Sequence, residues 1–225
     1  ASLDKIRASD PSLAIETLDK MHLFFFLLFL HWRLPSNIPY VDELSKQFFT
    51  EGSDNFGYFF LKSKKGEVVP KEMKDKIRDS SAFKKAAKLM IPFAPFYEKN
   101  WSQKMENWRF LYTKEDESWY LVGDNPIITN GQADHDPINC LNEFVFPVSG
   151  NILLVNTQTP LKHGTPPEFI IQYNIAVMEK SARFVACPRR DFLETLVGYY
   201  KHLVQTGMNG LVIDKMFAML DSATK

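Results

Sequence analysis

The segment Gly123-Asp124-Asn125-Pro126 places an acid in an unusual backbone setting. Pro126 has no N–H and pushes Asn125 toward extended geometry, which predicts a turn. Asn125 could close this turn by accepting the N–H of Ile127, two residues ahead. Asp124 has no such option, because the residue two ahead of it is Pro126. Its carboxylate must therefore find another donor, a cation or water.

Three roles are open to the Asp124 carboxylate. It can tie the turn to a neighbouring loop, it can face solvent, or it can serve a hydrolase, conceivably a nuclease, as metal ligand or general base. In the catalytic interpretation, Arg33 or Arg183 would stabilise the negative charge that develops during the reaction. The predicted catalytic residues are therefore Asp124 and Arg33. A divalent metal is expected only for this hydrolase. No cofactor is otherwise predicted, because the sequence has no phosphate-loop or dinucleotide fingerprint, and no metal-ligating cluster is assigned.

A second group of chemically active side chains lies in the basic stretch from Lys62 to Lys88. It contains ten Lys or Arg residues and four acids. Such a local excess of positive charge can attract phosphates or an acidic surface. Charges interspersed along predicted helices are also typical of an ordinary solvated face. We therefore expect a protein or nucleic-acid partner, if any, at this stretch. The predicted binding residues are Lys84, Lys85, Lys88, Asn125 and Arg183.

The turn also carries a family resemblance. Tyr120-Leu-Val-Gly-Asp-Asn-Pro-Ile127 is similar to a block of the bacterial and fungal proteins grouped as domain of unknown function 4238. Arg33-Leu-Pro35 and Phe146-Pro-Val-Ser-Gly150 resemble two further blocks. The resemblance implies a shared fold and a place to look for a site, but no reaction, because the family has no established function. These proteins typically open with a His- and Pro-containing block that this chain lacks, so we expect a truncated or atypical member.

Composition limits the classes of function. The chain has 225 residues, 45% of them hydrophobic, with 19 Phe residues, enough for a sizeable, largely aromatic core. Its formal net charge is zero, which argues against overall electrostatic attraction to nucleic acid or to an acidic membrane. Cys140 and Cys187 form no Cys-x-x-Cys pair, so a thiolate zinc site is not predicted.

The apolar run Leu23–Leu30 raises the question of a membrane segment. It is much shorter than the ~20 residues that a spanning helix needs. We interpret it as part of a buried helix that ends before Pro35. The expectation is a soluble cytoplasmic protein, with no membrane partner.

The order of the predicted elements favours an α+β fold. Helical patterns dominate residues 1–107, and strands are concentrated in residues 108–225. This predicts a mainly helical lobe and a mixed sheet-and-helix lobe within one compact domain, with the N-terminal helices packed on or beside a mainly antiparallel sheet. We expect one hairpin from residues 108–113 and 118–122, and a second strand pair from residues 143–146 and 151–155.

Two functions from different classes follow. The slightly favoured one is an intracellular binding or interaction module. The alternative is a metal-dependent hydrolase that uses Asp124, and it is less favoured because the sequence supplies no convincing set of catalytic partners for this acid.

Overall fold

Within the residues that the structure describes, helices come first and strands begin at Arg109. The computed structural model describes residues 17–47, 70–113, 119–130, 136, 138–157 and 167–222. The chain forms two compact units, which we call unit one (Ala1–Leu27 with Lys99–Lys225) and unit two (Leu28–Glu98). The predicted lobes, 1–107 and 108–225, stay a prediction.

The regular elements, in chain order, are helices α1 (Thr17–Arg33), α2 (Ile38–Gln47), α3 (Lys71–Asp79), α4 (Ser81–Met90), α5 (Pro167–Lys180), α6 (Arg190–Gln205) and α7 (Val212–Ser222), and strands β1 (Arg109–Tyr112), β2 (Val122–Gly123), β3 (Ile128–Thr129), β4 (Phe144–Ser149), β5 (Ile152–Asn156) and β6 (Val185–Ala186). Short 3-10 turns occupy Pro35–Asn37, Ile91–Tyr97, Trp101–Met105 and Asn209–Leu211. The predicted α+β class is confirmed.

The apolar run is helical, as predicted, but it is not buried on every side. Phe24 packs edge-on against Trp108 with ring centroids 6.0 Å apart, whereas Phe26 is 47% exposed. The helix ends at Arg33, and Pro35 begins a 3-10 turn because proline supplies no N–H for another helical turn. Among the described helices, none combines the length and the apolarity needed to cross a bilayer.

The larger sheet has the strand order β1-β5-β4-β3, with every neighbouring pair antiparallel. The pairing of β4 with β5, which includes Phe144 opposite Asn156, confirms the second predicted strand pair. All residues of β5 are buried, as expected for a central strand covered on both faces.

The first predicted hairpin is wrong. Strand β1 pairs with β5, and β2 pairs with β6, so residues 108–113 and 118–122 do not form a hairpin with each other. The physical reason is non-local. The fully buried β5 has two edges, and its pairing with β1 as well as β4 satisfies the backbone hydrogen bonds on both.

Helix α5 is the centre of the core of unit one. It packs against α7 and α6, and its residues Phe169, Tyr173 and Val177 are fully buried. The rings of Tyr120 and Tyr173 meet edge-on, 5.3 Å between centroids. Burial raises the pKa of both hydroxyl groups above the ordinary value for tyrosine. The C-terminal helices therefore complete a core that the sheet alone does not enclose.

In unit two, α2 packs against α4, and α4 packs against α3 and the turn Ile91–Tyr97. Asn37 stabilises the exit from α1, because its Nδ2 donates to the backbone oxygen of His31 at 2.8 Å. Phe29 meets Phe93 edge-on, with 5.4 Å between ring centroids. These contacts fix the C-terminal part of α1 beside Ile91–Tyr97.

Candidate functional site

Helix α5 holds the extended segment that leads into the Gly-Asp-Asn-Pro turn. Asn174 Oδ1 accepts the Leu121 N–H at 2.8 Å, and Asn174 Nδ2 donates to the Trp119 oxygen at 2.8 Å. The Tyr173 hydroxyl donates to the Leu121 oxygen at 3.0 Å. Asn174 is fully buried, so its side chain supplies the partners of the Trp119 oxygen and the Leu121 N–H, while the Tyr120 N–H donates to the Gly150 oxygen at 2.7 Å. The turn therefore begins from a fixed backbone.

The Asp124 carboxylate has a backbone donor. Its Oδ1 accepts the Ala182 N–H at 3.0 Å, and the Asp124 N–H donates to the Phe184 oxygen at 3.3 Å. One residue thus contributes two hydrogen bonds to the segment Ser181–Phe184. This is the contact expected of an acid that ties a turn to a neighbouring loop.

The predicted closure of the turn by Asn125 is wrong. Asn125 Oδ1 is buried and accepts no hydrogen bond in the described part of the chain, so it does not bind the Ile127 N–H. The backbone and carboxylate of Asp124 supply the anchoring instead. The Ser181 Oγ is likewise buried without a partner among the described residues. A Cβ at Gly123 would overlap that Oγ and lie 3.2 Å from Val177 Cγ1, so a larger residue here forces the Ser181 side chain to shift.

Arg183 lies in the same segment that binds Asp124, and its side chain is exposed. The structure therefore brings Asp124, Asn125 and Arg183 to adjoining loops of unit one. No group of three or more His, Cys, Asp or Glu residues that could hold a metal occurs in the described ranges. The catalytic role of Asp124 and the binding roles of Asn125 and Arg183 stay predictions.

Unit two contains a second candidate site, a cleft of about 490 Å³. Its walls are mainly apolar, and three cationic side chains contribute to them. The lining residues, which define what we call the cleft, are Phe29, Trp32, Arg33, Ile38, Val41, Lys85, Lys88, Leu89 and Pro92. This volume lies within the range of about 300–1,000 Å³ typical of ligand pockets.

The three cations of the cleft differ in their partners. Lys88 Nζ forms an ion pair with Asp42 at 2.7 Å. The Arg33 guanidinium lies over the Phe29 ring, 5.9 Å from its centroid, a cation–π contact. Lys85 is exposed, and within the described part of the chain it makes no hydrogen bond or ion pair. Lys85 therefore keeps its charge available to a partner.

The structure thus brings Arg33, predicted as a catalytic residue, together with Lys85 and Lys88, predicted as binding residues. The catalytic role of Arg33 stays a prediction. The side chain of Lys84 and residues 62–69 lie outside the described residues. The sequence did not reveal the apolar walls. The sequence did contain one indication of the cleft. Lys88 and Leu89 follow Lys85 by three and four residues, so the three side chains share one helix face.

The sequence matches the family described as "Protein of unknown function (DUF4238)" over residues 1–191 of the 225-residue chain. The chain belongs to this family. The resemblance noted at Asp124-Asn125-Pro126 is thereby confirmed. No curated protein and no solved structure matches the chain. Membership in DUF4238 assigns no reaction, so the geometry of the two candidate sites carries the functional argument.

Proposed function

We propose that this protein is a binding module and that it receives its partner in the cleft of unit two. The observation that carries the proposal is the combination of apolar walls with the cationic side chains of Arg33, Lys85 and Lys88 in one concave site. Ligand pockets commonly pair an apolar lining with a few polar groups that orient the ligand. The same combination selects an apolar group that carries negative charge.

Exposed apolar area adds to this argument. Ile38 is 46% exposed and Leu89 is 56% exposed. Complete burial of such a side chain is worth about 1.5–3 kcal/mol, so a partner that covers the remaining half of each gains about 1 kcal/mol per residue. The cleft therefore offers a favourable free energy of binding before any charge interaction is counted.

The chemistry of the cleft favours an apolar anion over nucleic acid. Nucleic-acid affinity rises with the number of phosphates that Lys and Arg neutralise, but the Lys88 charge is already paired with Asp42. Apolar walls contribute little to contacts with phosphates. The predicted nucleic-acid partner at Lys62–Lys88 is therefore the less favoured form of the binding proposal.

The proposal is tested with 1-anilinonaphthalene-8-sulfonate, an apolar anion that fluoresces when it binds apolar surface. We expect the full chain to bind it and Leu89→Glu to weaken binding at least tenfold, because the substitution puts a negative charge into the cleft. Met73→Glu is the matched control. Met73 and Leu89 are both 56% exposed helix residues, and Met73 does not line the cleft.

The two variants distinguish the cleft from other apolar surface. The proposal would be overturned if both variants lost the same amount of fluorescence, or if neither variant lost any. A single-stranded oligonucleotide is titrated in parallel, and salt-sensitive binding unaffected by Leu89→Glu would establish the nucleic-acid interpretation instead. Thermal unfolding of each variant checks that the fold persists.

The hydrolase built on Asp124 remains the alternative. The hydrogen bond from the Ala182 N–H at 3.0 Å does not favour it, because a structural acceptor makes the same contact.

A further inference from the structure

We infer that the occupant of the cleft is a free medium-chain monocarboxylate whose carboxylate binds Lys85. This assignment rests on the proposed binding function and specifies its ligand class. It follows from the charges at the cleft, the placement of Lys85 on its helix, and the size of the apolar part.

The charges favour a ligand whose negative group binds at Lys85. Lys88 is paired with Asp42 at 2.7 Å, and the exposed Arg33 guanidinium, which keeps its charge, lies over the Phe29 ring. Lys85 makes no ion pair with any described residue and lines the same cleft. The Lys85 ammonium can therefore bind a carboxylate without first breaking a contact with a described residue.

The placement of Lys85 connects that charge to the apolar wall. Lys85 and Leu89 are four residues apart on α4, so they are neighbours on one helix face. A carboxylate on the Lys85 ammonium thus has its attached chain beside Leu89. The remaining apolar lining includes Trp32 and Ile38, side chains that a flexible hydrocarbon chain can follow.

The volume of the cleft limits the length of the ligand's hydrocarbon chain. A cavity of about 150 Å³ holds one benzene molecule, and the cleft measures about 490 Å³. Roughly three such volumes would fit, which is an upper limit because the cleft is open to solvent. A chain of about ten carbons stays below this limit, and its carboxylate would lie at the exposed Lys85. Each buried methylene should raise affinity about fourfold.

The experiment is calorimetric titration of the full chain with decanoate, octanoate and decylammonium. We expect decanoate to bind about sixteenfold more tightly than octanoate, because it buries two more methylenes, and decylammonium to bind more weakly than decanoate. Lys85→Glu should weaken the binding of decanoate about tenfold and strengthen the binding of decylammonium, because the substitution reverses the charge at residue 85. Lys76→Glu is the matched control, because Lys76 is an exposed lysine of α3 that does not line the cleft.

Asp42→Asn gives a test of opposite sign. Removal of this carboxylate frees the Lys88 ammonium, so decanoate should bind about threefold more tightly. A purely structural role for the ion pair predicts no gain. Equal effects of Lys85→Glu and Lys76→Glu, or equal binding of decanoate and decylammonium to the unmodified chain, would overturn the assignment.

The outcomes also separate this inference from the proposed function. If the anilinonaphthalene probe binds the cleft but decanoate does not, the ligand class is wrong and the binding function stands. If the probe does not bind the cleft either, both fall.

Discussion

The role of Asp124 can be decided by two substitutions. Asp124→Ala removes the acceptor of the Ala182 N–H, a hydrogen bond of 3.0 Å. The Asp124 N–H still donates to the Phe184 oxygen, because that contact does not use the side chain. Asp124→Asn keeps an acceptor oxygen of nearly the same shape but removes the charge. The two variants therefore separate loss of the acceptor from loss of the carboxylate.

The structure also gives the size of the expected effect. A hydrogen bond to a charged group contributes about 1.5–3 kcal/mol. Ala182 is exposed, so water can replace the lost acceptor, and we expect Asp124→Ala to lower the free energy of unfolding by about 1 kcal/mol. For a chain of 225 residues, this corresponds to a decrease in Tm of about 2–4 °C. Asp124→Asn should lose about half as much.

Urea and thermal unfolding measure both variants, with Arg183→Ala as the control. Arg183 is exposed in the same segment, and its substitution leaves the backbone donor in place, so its effect should stay within about 0.5 kcal/mol. Unchanged stability of Asp124→Ala would refute the structural role. If that variant also abolished a divalent-dependent hydrolysis by the unmodified chain, the hydrolase would be the correct interpretation.

Three further predictions concern the fold of unit one. Gly123→Ala places a methyl group that overlaps the Ser181 Oγ and should cost about 1–3 kcal/mol. Ser181→Ala should restore part of that loss in a double-mutant cycle, and strictly additive effects would contradict the clash. Asn174→Ala breaks two buried hydrogen bonds and should cost about 2–4 kcal/mol in urea unfolding, whereas a loss below about 1 kcal/mol would contradict this pairing. Burial, followed by the hydrogen bond to Glu179, raises the pKa of Tyr200 from 10.0 to about 12. A pKa raised on folding gives stabilisation that is complete below the unfolded value and is lost as pH rises through the folded value. The Tm difference between the unmodified chain and Tyr200→Phe should thus shrink between pH 10 and 12, and a constant difference would contradict it.

The sequence predicted the elements whose causes are local. Pro35 ends α1 because it supplies no N–H, and the apolar runs around Pro147 pair as β4 and β5. The partner of β1 could not be predicted in the same way. Its register opposite residues 152–155 depends on which strand lies at the centre of the sheet, and a nearby turn signal favoured the shorter connection. Strand pairing is decided by the common core, which no local pattern describes.

The candidate sites likewise combine features that the local sequence indicates with features that only tertiary packing creates. The basic stretch indicated Lys85 and Lys88 as binding residues, and both line the cleft. The apolar side of that cleft combines the end of α1 with α2 and α4, a combination made by tertiary packing. The partner of Asp124 could not be predicted from the local sequence either, because Ala182, whose N–H donates to its carboxylate, is 58 residues away.

A charged side chain indicates a ligand site most strongly when the protein itself has not used its charge. Pro126 removes the nearest donor for the Asp124 carboxylate, but the backbone of a distant segment supplies another. Lys88 is paired with Asp42, whereas Lys85 makes no such contact among the described residues and stands beside exposed Leu89. An ammonium in water is stable anywhere on a surface, so its charge alone says little. Next to an apolar wall, the same charge lets one ligand gain both burial and ion pairing, which neither feature offers separately. This difference is why the proposed function is placed at the cleft and not at the turn that the family resemblance first indicated.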